Sequence, residues 1–212
     1  MNKHTVAFID SVMQHSSKIS DRTHSEFADT VNALADKFKL KYISHGSSRI
    51  VYEVTPTTVI KVAMNLAGIA QNQAEISLSR HKHAALNSVV DYSEMEVCSI
   101  HKKAAKLPDY FHEFGLNREQ LSECIHYCAM SYNPDDIQTQ KIIHHSKSIN
   151  IDIYEQFLDT QFGDDLFKLC TSHKLSPGDI ITLSDKQYGL VNNKLKLIDY
   201  GLNADVYTQY YT

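Results

Sequence analysis

The 212-residue chain contains no apolar run near the roughly 18 residues that a membrane-crossing helix requires, and its polar start MNKHTVAFIDSVMQHSSK lacks the apolar core of a secretory signal. These absences predict a soluble, cytoplasmic protein. Cysteine is scarce: Cys98, Cys124, Cys128 and Cys170 are scattered, and only Cys124 and Cys128 stand at helical i, i+4 spacing. No second pair follows to close a tetrahedron, which argues against zinc and for buried free thiols. The pairs His81/His83 and His144/His145 have no carboxylate or further histidine at a ligand spacing, so they read as surface or capping residues. An excess of positive charge is also missing: 21 Lys and Arg stand against 25 Asp and Glu, net −4, with no basic stripe, which makes nucleic-acid binding unlikely on electrostatic grounds. Only seven Gly and four Pro punctuate the chain, without tandem repeats or low-complexity tracts, so it reads as compact throughout. Its length suffices for one core or two small lobes.

What is present begins with two helical stretches. Val6, Ala7, Ile9 and Val12 suggest a short helix, and Ser25 to Leu40 places Phe27, Val31, Leu34, Ala35 and Phe38 on one apolar stripe that something must cover. Residues 1–40 therefore form an N-terminal helical extension. The stretch YISHGSSRIVYEVTPTTVIKVA, Tyr42 to Ala63, reads as two or three strands, with β-branched and aromatic residues around Gly46 and a turn at Thr55-Pro56-Thr57-Thr58. Asn65 to His81 carries Ile69, Ala70, Ala74 and Leu78 at roughly helical spacing, with Glu75 inside the helix. Further strands are expected around Ala85–Tyr92 and Glu96–His101.

From Leu107 onward the pattern turns helical. Asn117 with Gln120 three residues later predicts a capping box opening NREQLSECIHYCAMSY. The polar stretch 133–150 reads as a loop or short helix. A longer helix through Ile153, Phe157, Phe162, Leu166 and Leu169 is expected to close at Ser176-Pro177-Gly178. The strand LKLIDYGL, Leu195 to Leu202, then ends in an acidic residue followed by an aromatic-Gly pair.

The ordered set GSSRIVYEV, VIKVA, GIAQNQAEI and LKLIDYGL resembles small, divergent protein-kinase-like proteins of the kind found in bacteriophages and mobile elements, over roughly residues 40 to 212. The resemblance implies an α+β, two-lobed kinase-like fold. Residues 41–106 would be an antiparallel β small lobe and residues 107–212 a reduced helical large lobe. It also implies ATP and Mg2+ as cofactors. Gly46, Ser47 and Ser48 would cover the phosphates, Lys61 would grip them, Glu75 would orient Lys61, and Asp199 would hold magnesium. Read locally, Lys61 is equally a strand lysine with a solvated head.

The acceptor side departs from the family. PGDIITLSDKQYGLV, Pro177 to Val191, lacks the family's His-Arg pair and its Asn. Asp179 is the candidate catalytic residue and Asp185 the runner-up, each with a turn or loop role as the alternative. Gln187 stands near the place of the metal-binding Asn and is equally a turn residue. Arg49 occupies a position where a small residue would leave more room for phosphate. With eleven residues after Gly201, the family's peptide-substrate platform is not expected, and Tyr207, Tyr210 and Tyr211 are expected to pack as a short terminal helix. The functional expectation is phosphotransfer to a protein or small-molecule hydroxyl. The alternative is a catalytically silent pseudokinase that binds a protein partner, acting in the host cytoplasm if phage-encoded.

Overall fold

In a computed structural model, residues 2–20, 25–130, 150–172, 175, 180, 181 and 183–211 are described. The expected closure at Ser176-Pro177-Gly178, nearly all of the stretch 133–150, and Asp179 lie outside them. The fold is α+β, and the chain divides into two compact units, Met1–Arg80 with Ser88–Lys103, and His81–Asn87 with Ala104–Thr212.

The first unit is built on five antiparallel strands, β1 (Lys41–His45), β2 (Arg49–Thr55), β3 (Thr58–Ala63), β4 (Val89–Tyr92) and β5 (Cys98–Lys102), in the order β1-β2-β3-β5-β4. Register sets the chemistry of its two faces. Ile50 pairs with Val62, Tyr52 with Ile60, and these with Cys98 and Ile100 across β3 and β5. Because successive side chains point to opposite faces, this set forms one apolar face while Arg49, Lys61, Ser99 and His101 share the other.

The apolar face is covered by α1 (Lys3–Met13) and α2 (Ser25–Lys37). Phe8, Ile9, Val12, Phe27, Val31 and Ala35 join the sheet residues in one buried cluster. Burial of such side chains contributes about 1.5–3 kcal/mol each before chain entropy is charged against it. The N-terminal helices are thus the sheet's lid. The short helix expected from Val6, Ala7, Ile9 and Val12 is present as α1. Thr5, Phe8, Ile9 and Val12, at i, i+3, i+4, i+7, point inward, whereas Val6 and Ala7 are exposed. Tyr52 Oη donates to Asn32 Oδ1 at 2.5 Å, tying α2 to β2, and burial pushes its hydroxyl pKa up.

The strand expected from Ala85 shortens to Val89–Tyr92. Ala85 to Asn87 belong to the second unit, where Leu86 bridges Leu197 and the Asn87 amide donates to the Leu197 carbonyl at 2.9 Å. Glu96 has φ +50 and turns the chain, so β5 starts only at Cys98.

In the second unit a hairpin of β6 (Tyr110–Phe111) and β7 (Leu116–Asn117) leads into α4 (Arg118–Met130). The capping box is present: the Gln120 amide donates to Asn117 Oδ1 at 2.9 Å, and the Asn117 amide donates to Gln120 Oε1 at 3.1 Å. The expected long helix is two, α5 (Ile151–Leu158) and α6 (Gln161–Thr171). Thr160 breaks it by accepting from the Gly163 amide at 3.0 Å as N-cap, and Gly163 sits so close to the Phe157 carbonyl that a Cβ would stand 2.1 Å from it. Phe114, Phe157 and Phe162 pack there, with ring centroids 5.8–6.1 Å apart.

The hairpin β8 (Tyr188–Val191) and β9 (Lys194–Leu197) turns through Asn192 and Asn193, both at positive φ, the backbone a two-residue turn of this hand requires. A short α7 (Ala204–Tyr210), capped by Asn203, follows. Tyr207 and Tyr211 stack on each other at 6.2 Å and stay exposed. Among the described residues no helix is long and apolar enough to cross a membrane.

Candidate functional site

Lys61 lies on the central strand β3, opposite Val51 on β2 and Ser99 on β5, so its stem is walled by sheet on both sides. Facing it is α3 (Leu66–Ser79), started by Asn65, whose side chain accepts from the Gly68 amide at 2.9 Å. Glu75 comes three turns into this helix and is 0% exposed. Lys61 Nζ donates to Glu75 Oε1 at 2.7 Å and Oε2 at 2.9 Å. The expected lysine–glutamate pair is therefore formed, and in a buried setting.

A buried carboxylate is costly unless its lone pairs are satisfied. Here the set is wider than the sequence suggested. Arg49 Nη1 lies 3.1 Å from Glu75 Oε1 and 3.3 Å from Asn72 Oδ1, and His101 Nε2 lies 3.4 Å from Glu75 Oε2 and 3.0 Å from Ser99 Oγ. Asn72 also receives Ser99 Oγ at 3.2 Å, and its Nδ2 donates to the carbonyls of Glu96 and Val97 at 2.8 and 3.2 Å. Arg49 thus turns inward onto Glu75, where the sequence left it as an obstacle to phosphate. A signal was available: Arg49, Lys61, Ser99 and His101 share one face by strand alternation, and Asn72 precedes Glu75 by one helical turn.

The turn Gly46–Ser48 is fastened to the same helix. Within it the Gly46 amide donates to the Arg49 carbonyl at 2.9 Å. The Met64 amide donates to the Ser48 carbonyl at 2.8 Å, Asn65 Nδ2 to the Ser47 carbonyl at 3.3 Å, and Ser48 Oγ to Gln71 Oε1 at 3.1 Å. Gly68 lies beneath, where a Cβ would stand 2.2 Å from the Ser48 oxygen. Gly46 and Ser47 are exposed, Ser48 is buried, and a Cβ on Gly46 would meet open space. Ser48 is thus tied to α3, Ser47 to its cap Asn65, and Lys61 to Glu75 on the same helix, all within the first unit.

Asp199 and Gln187 lie in the other unit. The Ile198 amide donates to the Gln187 carbonyl at 2.7 Å, which sets Gln187 beside the residue preceding Asp199. Tyr200 is buried, and its Oη donates to the Asn87 carbonyl at 2.5 Å; with β9 on one side and this anchor on the other, Asp199 stands at the surface. An exposed carboxylate oxygen is a hard donor of the kind that Mg2+ takes while keeping several waters. Gln187 Oε1 accepts from Ser184 Oγ at 3.1 Å, an i, i+3 contact that is the geometry of a turn residue. Asp185 accepts from the Leu107 amide at 2.8 Å and lies 3.7 Å from Arg118, so it fastens a loop.

Two further groups bear on the chemistry. His83 is more than a surface histidine: its Nδ1 lies 2.8 Å from Asp165 Oδ1, whose Oδ2 accepts from the Ala85 amide at 2.8 Å, fixing segment 81–87 to α6. All four cysteines are buried thiols outside any disulfide, and burial pushes the thiols of Cys98, Cys124 and Cys128 up to about 12. Such thiols are poor nucleophiles at neutral pH.

No protein-family description matches the chain, and no curated protein matches it. Among solved structures it is similar to the gentamicin complex of APH(2")-IIa at 16% identity, covering 82% of this chain and 69% of that one, with a TM-score of 0.38. The streptomycin–ATP complex of the same protein gives 16% identity, 85% and 72% coverage and 0.37. The GDP and kanamycin complex of another APH(2") protein gives 17%, 78%, 67% and 0.39. At these values the likeness fixes neither the fold family nor the reaction of this chain.

Proposed function

We propose that this chain is an atypical kinase-like protein that binds ATP with Mg2+ and transfers phosphate to a hydroxyl of a protein or small molecule. The observation that carries the reading is the Lys61–Glu75 pair, a strand lysine held by a helix glutamate with no exposure. Outside catalysis such a buried pair is a weak stabiliser, often no better than apolar residues of the same size. As a device it delivers a positioned ammonium to phosphate oxygens, where charge develops during transfer.

In this reading Lys61 binds phosphate oxygens, Glu75 sets its direction, and the turn Gly46–Ser48 covers the phosphates with little side chain in the way. Asp199, with Gln187 as second donor, would hold Mg2+, whose charge would offset that of a phosphate group. Asp179 would orient the acceptor hydroxyl and take its proton.

A second reading, nucleotide binding without transfer, draws on the ties of Gln187 to Ser184 and of Asp185 to Leu107. A thermal-shift titration with ATP, with and without Mg2+, tests the first step. Magnesium-dependent stabilisation that disappears in Asp199→Ala is expected, and no stabilisation in the wild type would overturn both readings. Stabilisation without transfer of labelled γ-phosphate to the chain or to water would favour the second.

A further inference from the structure

We infer that Arg49 is a positioning residue that acts through Glu75 on Lys61, leaving the ammonium able to turn to an anionic ligand without stranding the buried carboxylate. The inference rests on the nucleotide reading above and adds to it a residue that the sequence placed among the obstacles.

The argument starts from the demands on Lys61. Its Nζ donates to both oxygens of Glu75, at 2.7 and 2.9 Å. When the ammonium shares its three N–H donors with a phosphate, part of that contact is given up. A carboxylate with no exposure would then lose its counter-charge, which disfavours the move. Arg49 supplies a second cation on Glu75 Oε1 at 3.1 Å, and a guanidinium stays charged at any accessible pH.

Arg49 is also held where it stands. Its Nη1 reaches Asn72 Oδ1, and Asn72 is itself fixed by the carbonyls of Glu96 and Val97. Its own carbonyl closes the Gly46–Ser48 turn, and Ser48 is tied to Gln71 on the same helix. One residue therefore links the turn and the helix glutamate. Two fixed contacts on α3, one turn apart, define the direction of Glu75 before any ligand arrives.

The test is a calorimetric titration of wild type, Arg49→Gln, Lys61→Met and the double variant with ATP, ADP and adenosine in magnesium buffer. The expected result is a loss of about tenfold or more for ATP and ADP in Arg49→Gln, with adenosine unchanged. The double variant is expected to be no weaker than Lys61→Met alone, because Arg49 works through Lys61. Equal losses for adenosine and ATP would mean a merely structural role, additive losses would place Arg49 on the phosphate itself, and unchanged binding would leave it without effect; each overturns the inference. If Arg49→Gln does not fold, Arg49→Met, which keeps an apolar stem and removes the charge, carries the same comparison.

If the wild type binds none of the three ligands, the nucleotide reading fails separately. The positioning claim is then read from the 15N resonance of the Lys61 ammonium, assigned by its loss in Lys61→Met. A shift in Arg49→Gln supports it, and an unmoved resonance overturns it.

Discussion

Replacing Glu75 by glutamine changes one oxygen to an amide and almost no volume, so its effect measures charge. The carboxylate is fully buried and serves Lys61 at 2.7 and 2.9 Å, Arg49 at 3.1 Å and His101 at 3.4 Å. Removing the anionic member of a buried ion pair costs about 3–5 kcal/mol, because the partner is left charged and desolvated. Lys61→Met is expected to cost less, about 1.5–3 kcal/mol, since Glu75 keeps Arg49. With two compact units, global unfolding need not be a single transition, so the readout is local. Amide exchange of Ile60 and Lys61, in the strand between β2 and β5, reports opening of this sheet. The expected acceleration in Glu75→Gln is roughly 100- to 4,000-fold where exchange follows stability. Protection within about fivefold of wild type, near 1 kcal/mol, would refute the claim that the carboxylate is the charged centre of this cluster.

Gly68→Ala tests the attachment of the turn to α3. Alanine gains about 1 kcal/mol of helix propensity, but its Cβ would stand 2.2 Å from the Ser48 oxygen and 3.0 Å from Ala63 Cα, so a net loss of about 1–3 kcal/mol is expected by the same exchange measurement. Equal or greater protection would show that Ser48 can retreat freely. The thiols give a pH dependence: Cys98 and Cys128 stay protonated to about 12 when folded, whereas unfolded thiols ionise near 8.5. The folded state then binds more protons between those values, so stability falls as pH rises above about 9, by about 1.4 kcal/mol per thiol per pH unit. Urea midpoints from pH 8 to 10.5 should decline accordingly, and iodoacetamide at pH 8 should leave the native thiols unmodified. Rapid native alkylation would contradict this.

The strand lysine and helix glutamate were legible through the resemblance of VIKVA and GIAQNQAEI, in that order, to a kinase-like arrangement, since the local pattern alone leaves Lys61 equally a solvated strand lysine. The capping box at Asn117 and Gln120 was legible from its local spacing. Arg49, Asn72, Ser99 and His101 were missed despite the signal in strand alternation and helical spacing, since polar side chains ordinarily mark the solvated face and only a buried carboxylate gives them reason to point inward. The short N-terminal helix was legible from its apolar residues, although Val6 and Ala7 lie off the i, i+3, i+4, i+7 line through Thr5 that packs inward. A continuous helix from Ile153 to Leu169 satisfied the spacing, yet Thr160 as a cap and Gly163 against the Phe157 carbonyl favour two helices. Ala85 to Asn87 looked like the start of a strand, but their bonds go to Leu197, far along the sequence, a pairing no local pattern reveals.

The most direct test of the central claim, that Lys61 held by Glu75 grips the phosphates of a nucleotide, is the calorimetric affinity of Mg·ATP for the wild type against Lys61→Met. The account predicts binding by the wild type and a loss of about tenfold or more in the variant, with adenosine affinity unchanged. Equal ATP affinity in the two proteins, or no binding by the wild type, would contradict it.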